Sequence, residues 1–371
     1  MKKLLSVVLA TALCTWAPAQ VRLLVGTYTE NTPAEGVYLY SFDTESARTT
    51  LLDMAPSGNP SFVIAVSDKA YAVNEFNDGR QAVSAFLLTE SSIKSLGSVP
   101  IPKAEIDGED PCNILFTGGA VLTSNYTGGS LSAFPVNADG NLSELSQSYA
   151  THLEYTATLS GRYIGTEPAH MHCAVISPDG KYIFATNLGM DCIHRFDRKD
   201  GEKPLGKSII AWKHRGLRKF GPRHLIFSAD GRFAYLLSEL ADKLVVFSYS
   251  DGTLTPIQTL TAYKGRGHGS ADIHLSPDGR FLYTSHRLKN DGIAIFRVDP
   301  SSGKVKRAGY QETGIHPRNF AISPDGRFLL CACRDSNRIE VYSIDSSTGS
   351  LSLLEDRSIS VGAPVCVQFV L

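Results

Sequence analysis

Three things missing from this chain each remove a class of protein. There is no basic excess, with 36 Lys and Arg against 37 Asp and Glu. A chain without a positive stripe has nothing to hold a phosphate backbone, so nucleic-acid binding is set aside. There is no CxxC pair among the seven cysteines, which removes the usual ligand spacing of structural zinc. Beyond residue 13, no apolar run approaches the roughly 18 residues that a membrane-spanning helix needs, so no membrane span is expected.

The one long apolar run comes first. Residues 1–19, "MKKLLSVVLATALCTWAPA", combine two lysines, an apolar stretch from Leu4 to Leu13 and the small-residue pattern Ala17-Pro18-Ala19. That is the pattern of a secretory signal peptide. Its cleavage is expected to leave residues 20–371 as one soluble, exported domain, most simply periplasmic. Without Lys2 and Lys3 the mature chain has 34 basic and 37 acidic residues, a formal charge of −3. Cys112, Cys173, Cys192, Cys331, Cys333 and Cys366 remain. Export permits disulfides, but these cysteines sit mostly in apolar strand-like segments of a chain too long to need a cross-linked framework. Buried free thiols are therefore expected.

What the chain has in quantity is a repeat. "SPDG" at 177–180, "SADG" at 228–231, "SPDG" at 276–279 and "SPDG" at 323–326 are separated by 51, 48 and 47 residues, with a weaker "SDK" at 67–69. Each full turn precedes an apolar segment such as "RFAYLLSE" or "RFLYTSHR". A period near fifty filled with short alternating strands is the sequence form of a propeller blade. Quartets of strands beginning near Pro60, Pro111, His172, Arg223, Asp272 and Arg318 make six blades. "RLLVGTYT" and "GVYLYSFD" near the start lack an inner strand, and "VCVQFV" at 365–370 lacks a blade. Pairing them gives a seventh. The expected fold is all-β, a seven-bladed propeller of four-stranded antiparallel blades closed by its N- and C-terminal strands. The long connection "SYATHLEYTATLSGRYIGTEPAH" is expected to be a loop or extended hairpin on one face.

In a blade the inner strand starts at the rim to which the second strand returns, so the two ends meet. Counting from the turns, His172, Arg223 and Arg318 fall five residues before the turn serine, and His224, Asp272 and Asn319 four before. Seven and eight residues after the turn glycine come Asn187 and Leu188, Ser238 and Glu239, His286 and Arg287, and Cys333 and Arg334. A mouth lined by His170, His172, Arg223, His224, Glu239, Arg287 and Arg318 is cationic and suits a small anionic lactone or carboxylate. Arginine forks bind carboxylate or phosphate and stabilise an oxyanion, and a glutamate or histidine moves the proton.

Plainer readings stand beside these. The Asp-Gly turns are hairpin chemistry. Asp272 can brace neighbouring blades, His274 can be a core histidine, and Arg223 with Glu239 can be a structural ion pair. His194, His214, His268 and Arg195 are expected at the solvated surface. Glu75, Asn125, Asn187 and Asp272 are candidate substrate contacts, and Glu75, Asn125 and Asn187 are also, in a minor reading, ligands for a divalent ion.

"LVGTYT" at 24–29, "NYTGGSLSAFPV" at 125–136, "HMHCAVISPDGKYIFATNLGMD" at 170–191, "GPRHLIFSADGRFAYLLSEL" at 221–240, "SPDGRFLYTSHR" at 276–287 and "HPRNFAISPDGRFLL" at 316–330 resemble the seven-bladed propeller lactonases. That family includes 6-phosphogluconolactonase and 3-carboxy-cis,cis-muconate lactonizing enzyme. The resemblance covers nearly the whole mature chain. It implies a metal-independent, cofactor-free site in the channel mouth, with His172, Arg223, Glu239 and Arg287 as the catalytic residues. Arg223 and Arg287 would bind the anion and the oxyanion, Glu239 would serve as general base, and His172 would position substrate or transfer a proton. The chain departs from the family pattern at Asn187-Leu188-Gly189, Ser285-His286-Arg287 and Cys333-Arg334, all at the rim. The expected activity is lactone hydrolysis or the related lactone-forming cyclisation, by a monomer or weak dimer. The competing expectation is a non-catalytic propeller that binds a carbohydrate or a protein.

Overall fold

A computed structural model describes residues 20–102, 108–151, 158–159, 162–163, 168–216, 218–263, 265 and 267–370. The expected signal peptide lies outside the described residues.

The repeated turns set the architecture. In each, the serine hydroxyl donates to the aspartate two residues on, at 2.6 Å for Ser177, 2.7 Å for Ser228, 2.6 Å for Ser276 and 2.5 Å for Ser323. The glycine N–H bonds back to the serine carbonyl, and the glycines sit at φ 72, 70, 70 and 73°. Only glycine adopts that left-handed region without strain.

Each turn joins an inner strand to a second strand whose alternate residues face opposite neighbours. In Phe233–Ser238, Phe233, Tyr235 and Leu237 pack with Leu282, Ala294 and Phe296 of the next blade. Ala234 and Leu236 pack with Phe184 and Ile193 of the previous one. Both faces are apolar because every blade is covered on both sides.

Seven antiparallel blade sheets result among the described residues. Blade 1 joins Gln20–Thr27, Gly36–Asp43 and Thr49–Pro56 to Pro364–Val370, which lies innermost. The inner strands of blades 2 to 7 are Val63–Val66, Pro111–Phe116, Met171–Ile176, Pro222–Phe227, Ser270–Leu275 and Pro317–Ile322. Closure by the two ends is as expected. Most of the long connection after blade 3 lies outside the described residues; its described part pairs Thr158–Leu159 with Arg162–Tyr163 as a short hairpin. All six described cysteines are buried and unbridged.

One feature was not visible in the sequence. The inner strands of blades 3, 4, 5 and 7 carry a bulge where they begin, with register shifts between Pro111 and Asn113, Met171 and Cys173, Pro222 and His224, and Pro317 and Asn319. Blade 1 has its counterpart at Val365 and blade 6 at Ala271-Asp272. A bulge leaves one residue unpaired and turns its side chain off the pleat. The residues so released include Cys112, His172, Arg223 and Arg318.

Candidate active site

The mouth is built from the bulges and from the residue after each second strand. That residue is Tyr28, Glu75, Tyr126, Leu188, Glu239, Arg287 or Arg334. In all seven blades its N–H bonds to the carbonyl of the residue leading into the inner strand, respectively Ala363, Asn59, Asp110, His170, Gly221, Gly269 and His316. The backbone thus fixes seven side-chain origins in a ring.

Arg223, Glu239 and Arg287 meet there. Arg223 Nε donates to Glu239 Oε2 at 2.9 Å and Arg287 Nη2 donates to Oε1 at 2.9 Å. The side chains are 3%, 19% and 5% exposed, so the pairing occurs largely out of water. Arg223 Nη1 also donates to the Ala271 carbonyl and lies 3.1 Å from His224 Nε2. Arg287 Nε donates to the Gly269 carbonyl, and its Nη1 lies 3.2 Å from His316 Nε2. Arg318 lies over the Tyr28 ring and reaches Glu75 at 3.4 Å, and Tyr28 donates to the other Glu75 oxygen at 2.9 Å. Three guanidiniums against two carboxylates leave the mouth cationic. His170 stacks on Tyr126 with ring centroids 4.4 Å apart.

Burial alone pushes the Glu239 carboxyl up, but the Arg287, Arg223 and Arg318 charges outweigh it and hold the group below the usual carboxylate range. Glu239 is a fixed anion and a weak base. His172 is the reverse case. Burial first, then the Arg223, His224 and Arg318 charges, hold its imidazole well below the ordinary histidine value, so it is neutral at neutral pH. It lies beside Tyr126 and His224, at 5.7 and 5.2 Å between ring centroids.

Below the mouth, the next residue of the inner strands in blades 3, 5, 6 and 7 ties one blade to its neighbour. His224 Nδ1 donates to Asp272 Oδ1 at 2.8 Å, which leaves Nε2 as the acceptor for Arg223. Asp272 Oδ2 accepts from His274 Nε2, Asn319 Nδ2 and the Phe320 N–H. Asn319 accepts from the Val367 N–H and Asn113 from the Ala174 N–H. Asp272 is saturated by protein groups, which supports the bracing reading over substrate contact. His274 is not a simple core residue: its side chain is 40% exposed, and Asp272, outweighing burial, raises its pKa.

Asn125 and Asn187 end their second strands one residue before the mouth-facing position, so the strand alternation turns them away from the channel. Both are fully buried. Asn125 donates to Ser130 and Ser132, and Asn187 accepts from the His170 and Met190 N–H groups. They do not converge with Glu75, which removes that candidate ion site. His286 is also turned inward, between Ser270 and Thr284. His194, expected at the surface, is 3% exposed against Tyr149 and Cys192. His268 is exposed as expected. Sequence reasoning missed Tyr28, Tyr126 and His316. Tyr126 was within reach, because it holds the same place after its strand as Glu239.

The channel below forms a cavity of about 490 Å³ lined largely by aliphatic inner-strand residues such as Ile114, Leu225 and Ile273. A recess of about 570 Å³ adjoins the mouth at Tyr28 and is bordered by Asn59, Arg334 and Asn337.

A ring of radial four-stranded sheets whose mouth holds a carboxylate between two buried arginines defines a propeller with a charged, largely buried cluster at one end of its channel. The chain is 33% identical over 362 residues to a 6-phosphogluconolactonase of Formosa agariphila, covering 94% of this chain and 99% of that one. A solved candidate 6-phosphogluconolactonase from Bacteroides uniformis is 43% identical with TM-score 0.85, covering 95% and 100%. The periplasmic gluconolactonase of Pseudomonas aeruginosa is 31% identical with TM-score 0.82, covering 95% and 99%. The family model for lactonase, 7-bladed beta-propeller, matches residues 22–369, and the chain belongs to that family. The resemblance read from the motifs is borne out, and the non-catalytic alternative finds no support in these relatives.

Proposed function

We propose that the protein hydrolyses a sugar-acid lactone of the gluconolactone or 6-phosphogluconolactone type, as an exported, periplasmic enzyme formed by residues 20–371. The observation that carries the reading is the bracket of Arg223 and Arg287 on Glu239 beside a neutral His172. The names of the relatives supply the substrate class. The first nineteen residues and the P. aeruginosa relative support export. Arg223 and Arg287, pre-oriented by Glu239, polarise the lactone carbonyl and hold the oxyanion as it forms. Arg318, backed by Glu75 and Tyr28, takes the carboxylate, phosphate or hydroxyl edge of the sugar. His172, neutral and beside the arginines, accepts the proton of the attacking water. Glu239, the base that the resemblance implies, is better suited by its two arginine contacts to fixing their geometry.

Proton release by the mature protein, in EDTA, against fresh glucono-, 6-phosphoglucono- and carboxymuconate-type lactones tests this. We expect rapid turnover of one sugar lactone, lowered at least about 100-fold in Arg223→Ala. Silence across the panel would overturn the reading.

A further inference from the structure

Two buried side-chain atoms at the floor of the mouth have no hydrogen-bond partner in the protein, Ser61 Oγ and His172 Nδ1. Their residues are 2% and 4% exposed. Leaving a hydroxyl or an imidazole nitrogen dry and unpaired is costly, so two such atoms together call for an explanation.

Both residues line one small cavity of about 10 Å³, together with Cys112, Arg223 and Arg318. That is close to the volume needed to admit a single water, which requires two to four polar partners. Phe62, His224 and Asn319 border this cavity and also the larger one below it. They form the layer between the two. Ser61, His172, Arg223 and Arg318 border only the upper one, so a molecule held there lies on the mouth side.

We propose that this cavity is a one-water site, gripped by Ser61 and His172, and that its water is the nucleophile of lactone hydrolysis. This rests on the lactonase reading and makes it specific. The water donates one O–H to His172 Nδ1 and the other to Ser61 Oγ, which directs its lone pairs toward the arginine side. Its oxygen bonds to the lactone carbonyl carbon, the carbonyl π pair moves to the oxygen facing Arg223 and Arg287, and the departing proton passes to His172 Nδ1. Collapse of the tetrahedral adduct breaks the bond to the ring oxygen, which takes the proton from His172. One lactone and one water give one hydroxy acid, and His172 returns to its neutral form.

Ser61→Ala removes one of the two grips, and Ser61→Val also fills the cavity. We expect kcat to fall about 10-fold in the first and about 100-fold in the second, on the scale of lost general-base assistance. KM should stay within about twofold and Tm close to that of the unaltered protein, a split that a merely structural serine would not produce. A high-resolution crystal structure of the unaltered protein should place a water within hydrogen-bond distance of Ser61 Oγ and His172 Nδ1. A dry cavity, or folded Ser61→Val with an unchanged kcat, would overturn the proposal. If the unaltered protein turned over no lactone, the lactonase reading would fall and the nucleophile role with it, while the crystal structure would still decide the water site.

Discussion

Glu239→Gln keeps the shape of the side chain and removes the charge that two buried guanidiniums share. Leaving charges uncompensated in such a site costs about 3 kcal/mol. A urea titration should show a loss of that order, with turnover lost in parallel and Arg223 and Arg287 free to drift. Unchanged stability would mean the pairing is solvated after all. His172 makes a separate prediction. Its reactive form is neutral and its pKa lies below the ordinary 6.5, so kcat/KM should stay level as pH falls through about 6.5 and decline only well below it. A fall centred at the ordinary histidine value would exclude it as the base in this environment. At this scale the sequence was informative where charge is unusual for a strand end, as at Arg223, Glu239 and Arg287. It misled at Asn125 and Asn187, because a polar residue at a strand end looks the same whether it faces the channel or closes its own blade.

At the scale of turns and strands, most of the architecture could be read in advance, because Ser-Pro-Asp-Gly turns and period-two alternation are local properties. The bulges could not, since a bulge is a relation between two strands and leaves no composition of its own. Counting back from the turns nonetheless reached the bulged residues, because the offset is the same in blades 4, 5 and 7. Two glycines separate backbone strain from packing. Gly279 has φ 70° and open space where a Cβ would stand, so Gly279→Ala should cost only about 1 kcal/mol in urea unfolding. Gly303 has φ 68° and a Cβ there would collide with the Phe233 ring. Gly303→Ala should cost clearly more, and equal losses would contradict the packing described between blades 5 and 6.

For the whole molecule, buried neutral histidines set the response to acid. Burial holds His194 and His224 down to about 4, and His286 and His316 to about 3. The unfolded chain takes up these protons near pH 6.5 and the folded chain does not, so stability present above that pH is lost as pH falls toward 4. His274 acts in the opposite sense, because Asp272 raises its pKa. The four outnumber it, and Tm should be several degrees lower at about pH 4.5 than at about pH 7.5. A Tm that rises on acidification would contradict this set of buried neutral rings.

The way the ring closes also bears on timing. Pro364–Val370 follows every other described strand in chain order, yet it pairs with Gln20–Thr27. Cys366 packs under the Val63 N–H, and Asn319 caps Val367, so its arrival joins three blades in one event. Synthesis from the amino end delivers this latch after the other described strands. Without it blade 1 has three strands and the ring has no closure, so completion of the circle is tied to the order of the chain itself.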